Sequence, residues 1–184
     1  MIYAALTAVT DKINMYFSNR FSFNEEKVVL SNIVTQDGSI AIQETDKIIV
    51  TLVNLEKEKI NLAAGKSSNS YSNRPINLNI FILFSAYFSE QNYPEALKFL
   101  SAVVAFFQSN PVLTHENTPE LDERIHKLSL EIENVDMQTL SHLWGVLGGK
   151  HLPSVFYKIR MVTFDDDTID GTFSSLTGTG SNVN

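Results

Sequence analysis

INLNIFILFSAYFS, residues 76–89, is the stretch on which the fold turns. Ten of its fourteen residues are apolar or aromatic. Positions 76, 78, 80, 82, 84, 86 and 88 read Ile, Leu, Ile, Ile, Phe, Ala and Phe, one unbroken apolar row. The alternate positions are Asn77, Asn79, Phe81, Leu83, Ser85, Tyr87 and Ser89, apolar only in the middle. Side chains of a strand point to opposite faces with period two, so this pattern predicts a strand. It is longer than the usual strand of about 5–6 residues, and it reads as the central strand of a sheet, with its far end able to turn helical. A membrane-spanning helix needs about 20 apolar residues, and this run is too short and is broken by Asn77, Asn79, Ser85 and Ser89.

On the N-terminal side, residues 61–75 (NLAAGKSSNSYSNRP) form a polar Gly/Ser/Asn loop too poor in apolar residues to pack. Loops of that length are uncommon inside compact domains and are usually functional or mobile. Before it, DKIIVTLVNLEKE predicts a strand over about 47–57. Ile48, Val50 and Leu52 share one face and Ile49, Thr51 and Val53 the other, which suggests a strand covered on both sides. A short β-rich run, KVVLSNIV, occupies 27–34, and Asp37–Gly38 marks a turn. Ile2, Ala5, Leu6, Val9, Ile13, Tyr16 and Phe17 lie on a helical stripe, with Asp11, Lys12 and Asn14 off it. The spacing predicts an amphipathic helix over 2–18.

On the C-terminal side, NYPEALKFLSAVVAFFQSN predicts a helix with Asn92 as cap, Pro94 in the first turn and Asn110–Pro111 as the stop. Its apolar stripe joins Leu97, Leu100, Val104 and Phe107 to Ala96, Phe99, Val103 and Phe106, broad enough to predict burial on more than one side. HKLSLEIE (126–133) alternates, with Leu128, Leu130 and Ile132 inward, as a half-exposed strand. Asp136 caps a helix carrying Leu140, Leu143, Trp144 and Leu147 that ends at Gly148–Gly149. SVFYKIRMVTF closes the pattern as a strand with Val155, Tyr157, Ile159 and Met161 on one face. The expected architecture is α+β: one domain over residues 1–164, with a mixed sheet of about five strands packed with about three helices. Residues 165–184, DDDTIDGTFSSLTGTGSNVN, change abruptly to Asp, Ser, Thr and Gly and read as a flexible tail.

Composition narrows the function classes. Net charge is −7 and the pI about 5.0, and Lys and Arg are scattered, so neither nucleic acid nor an anionic lipid surface is an expected partner. The chain has no cysteine, which removes disulfides, thiolate metal sites and cysteine nucleophiles. The N-terminus lacks the basic start and small-residue cleavage pattern of a secretory signal, and the lack of cysteine fits a reducing cytoplasm. His115, His126, His142 and His151 form no metal-ligand spacing. The side chains of Asp165, Asp166 and Asp167 would alternate in direction and not converge on one cation. The glycines of GVLGGK follow a helix, where anions are disfavoured and a C-cap explains them. No catalytic motif and no cofactor site is expected. Lys158 and Arg160 share the less apolar face of the last strand, as an anion contact or a solvated strand face.

Three segments in order carry a resemblance: RPINLNIFILFSAYF, YPEALKFLSAVVAFFQSNPVLT and LSHLWGVLGGKHLPSVFYKIRMVTF. Together with the N-terminal helix and KIIVTLVNLEKE, they resemble the small cap or tube-terminator proteins of contractile injection systems, the phage-tail-like bacterial particles. The resemblance spans about residues 1–165 and implies a tail-terminator-like fold and a structural, non-enzymatic role. It implies a homo-hexamer that closes the distal end of the inner tube and touches the last sheath ring, alone or beside a longer cap paralogue. The candidate interface residues are Lys158, Arg160 and, in the tail, Ile169, Phe173 and Leu176. Two other readings stand beside it. One is a small-ligand or glycan-binding module using the 61–75 loop. The other, a hydrolase with an unrecognised acidic pair, is disfavoured by the lack of convergent His, Asp and Ser.

Overall fold

A computed structural model describes residues 1–22, 25–58, 77–148 and 151–163. The 61–75 loop, the Asp165–Asp167 run and the tail with Ile169, Phe173 and Leu176 lie outside the described residues. The chain runs through α1 (Ile2–Phe21), β1 (Val28–Leu30), β2 (Lys47–Lys57), β3 (Leu78–Tyr87), a 3₁₀ turn (Glu90–Asn92), α2 (Tyr93–Ser109), β4 (Val112–Leu113), β5 (Ile125–Ile132), α3 (Met137–Val146) and β6 (Ser154–Thr163). The strands form one mixed sheet in the order β1-β2-β3-β6-β5-β4. Only β1 and β2 run parallel; the other neighbours are antiparallel. The α+β sheet with three helices is as the sequence predicts, with β4 as a sixth strand too short to show any periodicity.

β3 sits at the centre, paired with β2 over ten positions and with β6 over eight. Its even-numbered residues Ile80, Ile82, Phe84 and Ala86 join the main core beneath α1 and α2. Its odd-numbered Leu83 joins a smaller core with Ile33, Ile49 and Trp144, covered by α3 and by residues around 33–42. β2 is likewise covered on both faces: Ile48 and Val50 belong to the first core, Ile49 to the second. Leu52, expected inward, still pairs with buried Ile82 but is 39% exposed, and a bulge between Leu52 and Asn54 shifts the register just after it.

α1 buries Ala5, Leu6, Val9, Ile13 and Phe17, the predicted stripe, and continues to Phe21, where Ser22 in the left-handed region closes it. Asn14, off that stripe, is not simply solvated. Its amide donates to the Val28 carbonyl (2.8 Å), and its oxygen accepts from the Lys27 and Val28 amides (3.0 and 2.8 Å). It thereby satisfies backbone groups of the edge strand β1, which would otherwise lack partners.

α2 starts and stops where Pro94 and Asn110 predict, but Asn92 makes no side-chain cap. Its amide instead donates to Asp46 (3.0 Å), whose second carboxylate oxygen accepts from the Ser89 amide. The 3₁₀ turn preceding α2 draws Asn92 away from the helix amides and ties the helix entry to the loop before β2. The broad stripe of α2 packs against two elements, as its width predicts: Phe107 meets Phe84 and Tyr157 of the sheet, and Phe99 and Phe106 meet Phe17 and Tyr16 of α1, while Leu97 is 43% exposed.

Asp136 does cap α3, accepting from the Thr139 amide (2.8 Å) and hydroxyl (2.9 Å). Those bonds, the amide first, hold its carboxyl below the usual aspartate range. A carboxylate with a depressed folded pKa stabilises fully above the unfolded value near 3.9, and that contribution is lost as pH falls through the folded value. Asp136→Ala should therefore destabilise the protein at neutral pH, and the difference from the parent should vanish in acid. Denaturant melts of both proteins across pH check this; a difference that persists at acidic pH would show that the cap is not electrostatic. After α3, Gly148 adopts φ +100°, and Val34 methyls stand 2.8 Å from where a Cβ would lie. Glycine is required there both by the backbone and by the close approach.

Candidate assembly surfaces

The described residues hold no group of three or more His, Asp or Glu side chains able to bind a metal. The histidines are dispersed: Nε2 of His115 bonds to the Ile125 carbonyl (2.9 Å), and His151 packs on Trp144 with ring centroids 5.3 Å apart. Trp144 is a core residue, 4% exposed. The hydroxyls of Ser85 and Tyr157 and Nε1 of Trp144 are buried with no hydrogen-bond partner among the described residues. Burial pushes the Tyr157 phenol up to about 12, so it stays neutral. No helix among the described residues is long and apolar enough to cross a membrane.

Lys158 and Arg160 project from β6 on the face opposite the main core. Lys158 Nζ lies 3.5 Å from Glu131 and 3.7 Å from Glu133 on and just beyond β5. Arg160 Nε lies 2.6 Å from Glu58, at the end of β2. Both cations are thus engaged across the sheet by acidic neighbours. Sequence alternation places Glu131 outward beside them; Glu133 and Glu58 arrive only through strand order. On the same face Phe81 and Phe156 stack at 5.9 Å. The part of this face bearing Phe81, Lys158 and Arg160 therefore presents aromatic surface beside paired charges.

Other surfaces carry apolar side chains that the sequence does not mark as exposed. On the outer face of α1, Tyr3 (74% exposed) and Met15 line a groove of about 600 Å³ with Asp11, Glu120 and Asp122. Burial, with Glu26 and Glu120 nearby, pushes the Asp11 carboxyl up. Between the C-terminal turn of α1 and α2 lies a groove of about 510 Å³ lined by Arg20, Phe21, Leu97, Lys98, Ser101 and small residues at 102 and 105. On α3, Met137 and Val146 stand almost fully exposed, beside a groove of about 400 Å³ that includes Trp144 and His151. These grooves are open and lined by surface residues of α1, α2 and α3, which suits contact with neighbouring proteins more than one enclosed ligand site.

The fold matches solved structures along its whole length. A PVC sheath/tube terminator of an extracellular contractile injection system, in the extended state, superposes with a TM-score of 0.61 and 14% identity over 100% of this chain. The anti-feeding prophage cap, a tube terminating cap, superposes with a TM-score of 0.56 and 14% identity over 97% of it. At that identity the matches establish a shared fold. The chain spans 63% of the first protein and 60% of the second. None of the curated proteins matches the chain significantly. A sheath/tube terminator and a tube terminating cap are the class of protein that the three ordered sequence segments resemble. Residues 4–172 match the Pvc16 N-terminal domain, and the chain belongs to that family.

Proposed function

We propose that this protein is a structural terminator of a bacterial contractile injection system. It forms a homo-hexameric ring that closes the distal end of the inner tube and contacts the last sheath ring. The observation that carries this reading is the match of the fold, over 100% of this chain, to a sheath/tube terminator. The physical character of the subunit supports it. A ring closes only if each heterologous interface sets the same rotation, which demands a rigid protomer. Here a sheet whose central strands are covered on both faces supplies that rigidity. Lys158 and Arg160, with the Phe81–Phe156 stack, belong to a contact surface, where paired charges set register more than they add affinity. The role is non-enzymatic. The particle is assembled in the cytoplasm, and the chain acts alone or beside a longer paralogue that supplies further domains.

Electron microscopy of intact particles tests the reading. Six-fold density fitted by this chain is expected at the end away from the baseplate, and deletion of the gene should remove it. Density for the chain along the tube, at the baseplate, or with another symmetry would overturn the proposal.

A further inference from the structure

The groove between α1 and α2 is basic and apolar in an acidic protein. α1 and α2 pack antiparallel there, with Phe17 and Phe21 against Phe99 (centroids 5.1 and 5.4 Å). The Arg20 guanidinium lies over the Tyr16 and Phe21 rings at 5.7 and 5.8 Å, which holds the cation at the groove wall. Neither Arg20 nor Lys98 forms an ion pair among the described residues. Ser101 turns its hydroxyl back to the Leu97 carbonyl (2.7 Å), so a short, internally satisfied side chain forms the groove floor. Leu97, at 43% exposure, provides an uncovered apolar rim.

Residues 165–184 have the complementary chemistry. They contain Asp165, Asp166, Asp167 and Asp170, no Lys or Arg, and the apolar residues Ile169, Phe173 and Leu176. We propose that this segment of one copy docks in the α1–α2 groove of a neighbouring copy, its apolar residues against Leu97 and Phe21 and its carboxylates facing Arg20 and Lys98. The proposal rests on the ring reading above, and it assigns one contact by which the ring closes.

Two observations select this groove and this copy. The groove on the outer face of α1 is larger and nearer to where the segment leaves, but its lining carries three carboxylates, Asp11, Glu120 and Asp122, against the single cation Lys12, and four further carboxylates would be disfavoured there. Reach decides the copy. β6 ends with Thr163 paired to Ile125, whose amide bonds to the Asp122 carbonyl, and the Asp122 carboxylate lies 3.8 Å from the Met1 amine. The segment therefore leaves near the start of α1, whereas Arg20 and Phe21 stand at its end, about 30 Å away along a 20-residue helix. Ile169 is six residues beyond Thr163, a reach of about 20 Å even when fully extended. Its own groove is out of range for Ile169, and Phe173 would arrive only with a straight chain.

The test uses the full-length protein with a Phe173→benzoylphenylalanine substitution. An equal mixture of unlabelled and heavy-isotope chains is photo-cross-linked, both concentrated in solution and in assembled particles. In particles, cross-links from position 173 to peptides spanning 20–21 or 97–105 are expected, joining light to heavy chains. Arg20→Glu with Lys98→Glu should lower their yield about tenfold, and Asp165→Lys, Asp166→Lys and Asp167→Lys in the same chain should restore it. If the double variant does not fold, the Asp→Lys variant alone should show the loss. Cross-links within one chain, to any other surface, or indifferent to both charge reversals overturn the docking. Particles that carry the chain at the tube end yet cross-link elsewhere refute the docking and leave the terminator reading intact. Light-to-heavy cross-links at the groove in a protein absent from the tube end refute the terminator reading and leave the docking.

Discussion

Ile80→Asp should leave no soluble, folded protein. Ile80 is fully buried in the main core. It stands on the central strand, opposite Leu55 of β2 and Ile159 of β6. Among the described residues, the core around it is built from apolar side chains, with the Tyr157 hydroxyl as its one polar side-chain group and no cation. Leaving a carboxylate unpaired there costs several kcal/mol, against a total stability of about 5–15 kcal/mol for a typical domain. Lys158→Ala is the control on the neighbouring strand. Its ammonium is partly solvated and its pairs are at the sheet surface, so the change should fall within about ±0.5 kcal/mol. Soluble yield and a thermal melt followed by circular dichroism read both outcomes. A soluble Ile80→Asp protein with a cooperative melt would mean that β3 is not the buried centre of the sheet.

Phe17→Ala should cost about 3–5 kcal/mol, the range for removing a buried aromatic ring from a core. Phe17 is 1% exposed and joins Tyr16, Phe21 and Phe99, with centroids 5.9, 5.7 and 5.1 Å away. With Tyr16 and Phe21, it is one of the rings through which α1 grips α2. At about 2–4 °C per kcal/mol for a chain of this size, the melting temperature should drop by about 10 °C. Phe21→Ala, one turn further along and 38% exposed, should cost clearly less in the free protein. Equal losses for the two variants would show that the α1–α2 seam is not buried as described. The comparison also separates stability from assembly, because Phe21 lines the groove and Phe17 does not.

What could be read from the sequence was whatever repeats locally. The even-numbered row of β3, the double-sided apolar pattern of β2 and the stripe of α1 each follow from the geometry of one element. Each found its face in the structure. Stops and caps made within a few residues were equally legible, as at Asp136, Pro94 and Gly148. The resemblance to tube terminators was legible in the same way, as an order of such elements. Two of the failures share one cause, a partner distant in sequence. Asn92 reads as a helix cap, but Asp46 lies within reach and takes its amide. Asn14 reads only as a residue off the apolar stripe until β1 is laid beside it. Ile132 alternates correctly on β5 yet is 46% exposed.

The candidate surfaces divide along the same line. That Lys158 and Arg160 share a strand face follows from period two; that Glu131, Glu133 and Glu58 engage them depends on β6 lying between β3 and β5. Leu97 reads as core from its helical spacing and becomes a groove wall because α1 ends beside it. Periodicity therefore determined which residues form helices and strands and which faces are apolar, since it depends on backbone geometry alone. The strand order, the residues left uncovered and the charges that meet across the sheet were decided only by tertiary structure, because burial depends on which segments arrive from elsewhere in the chain.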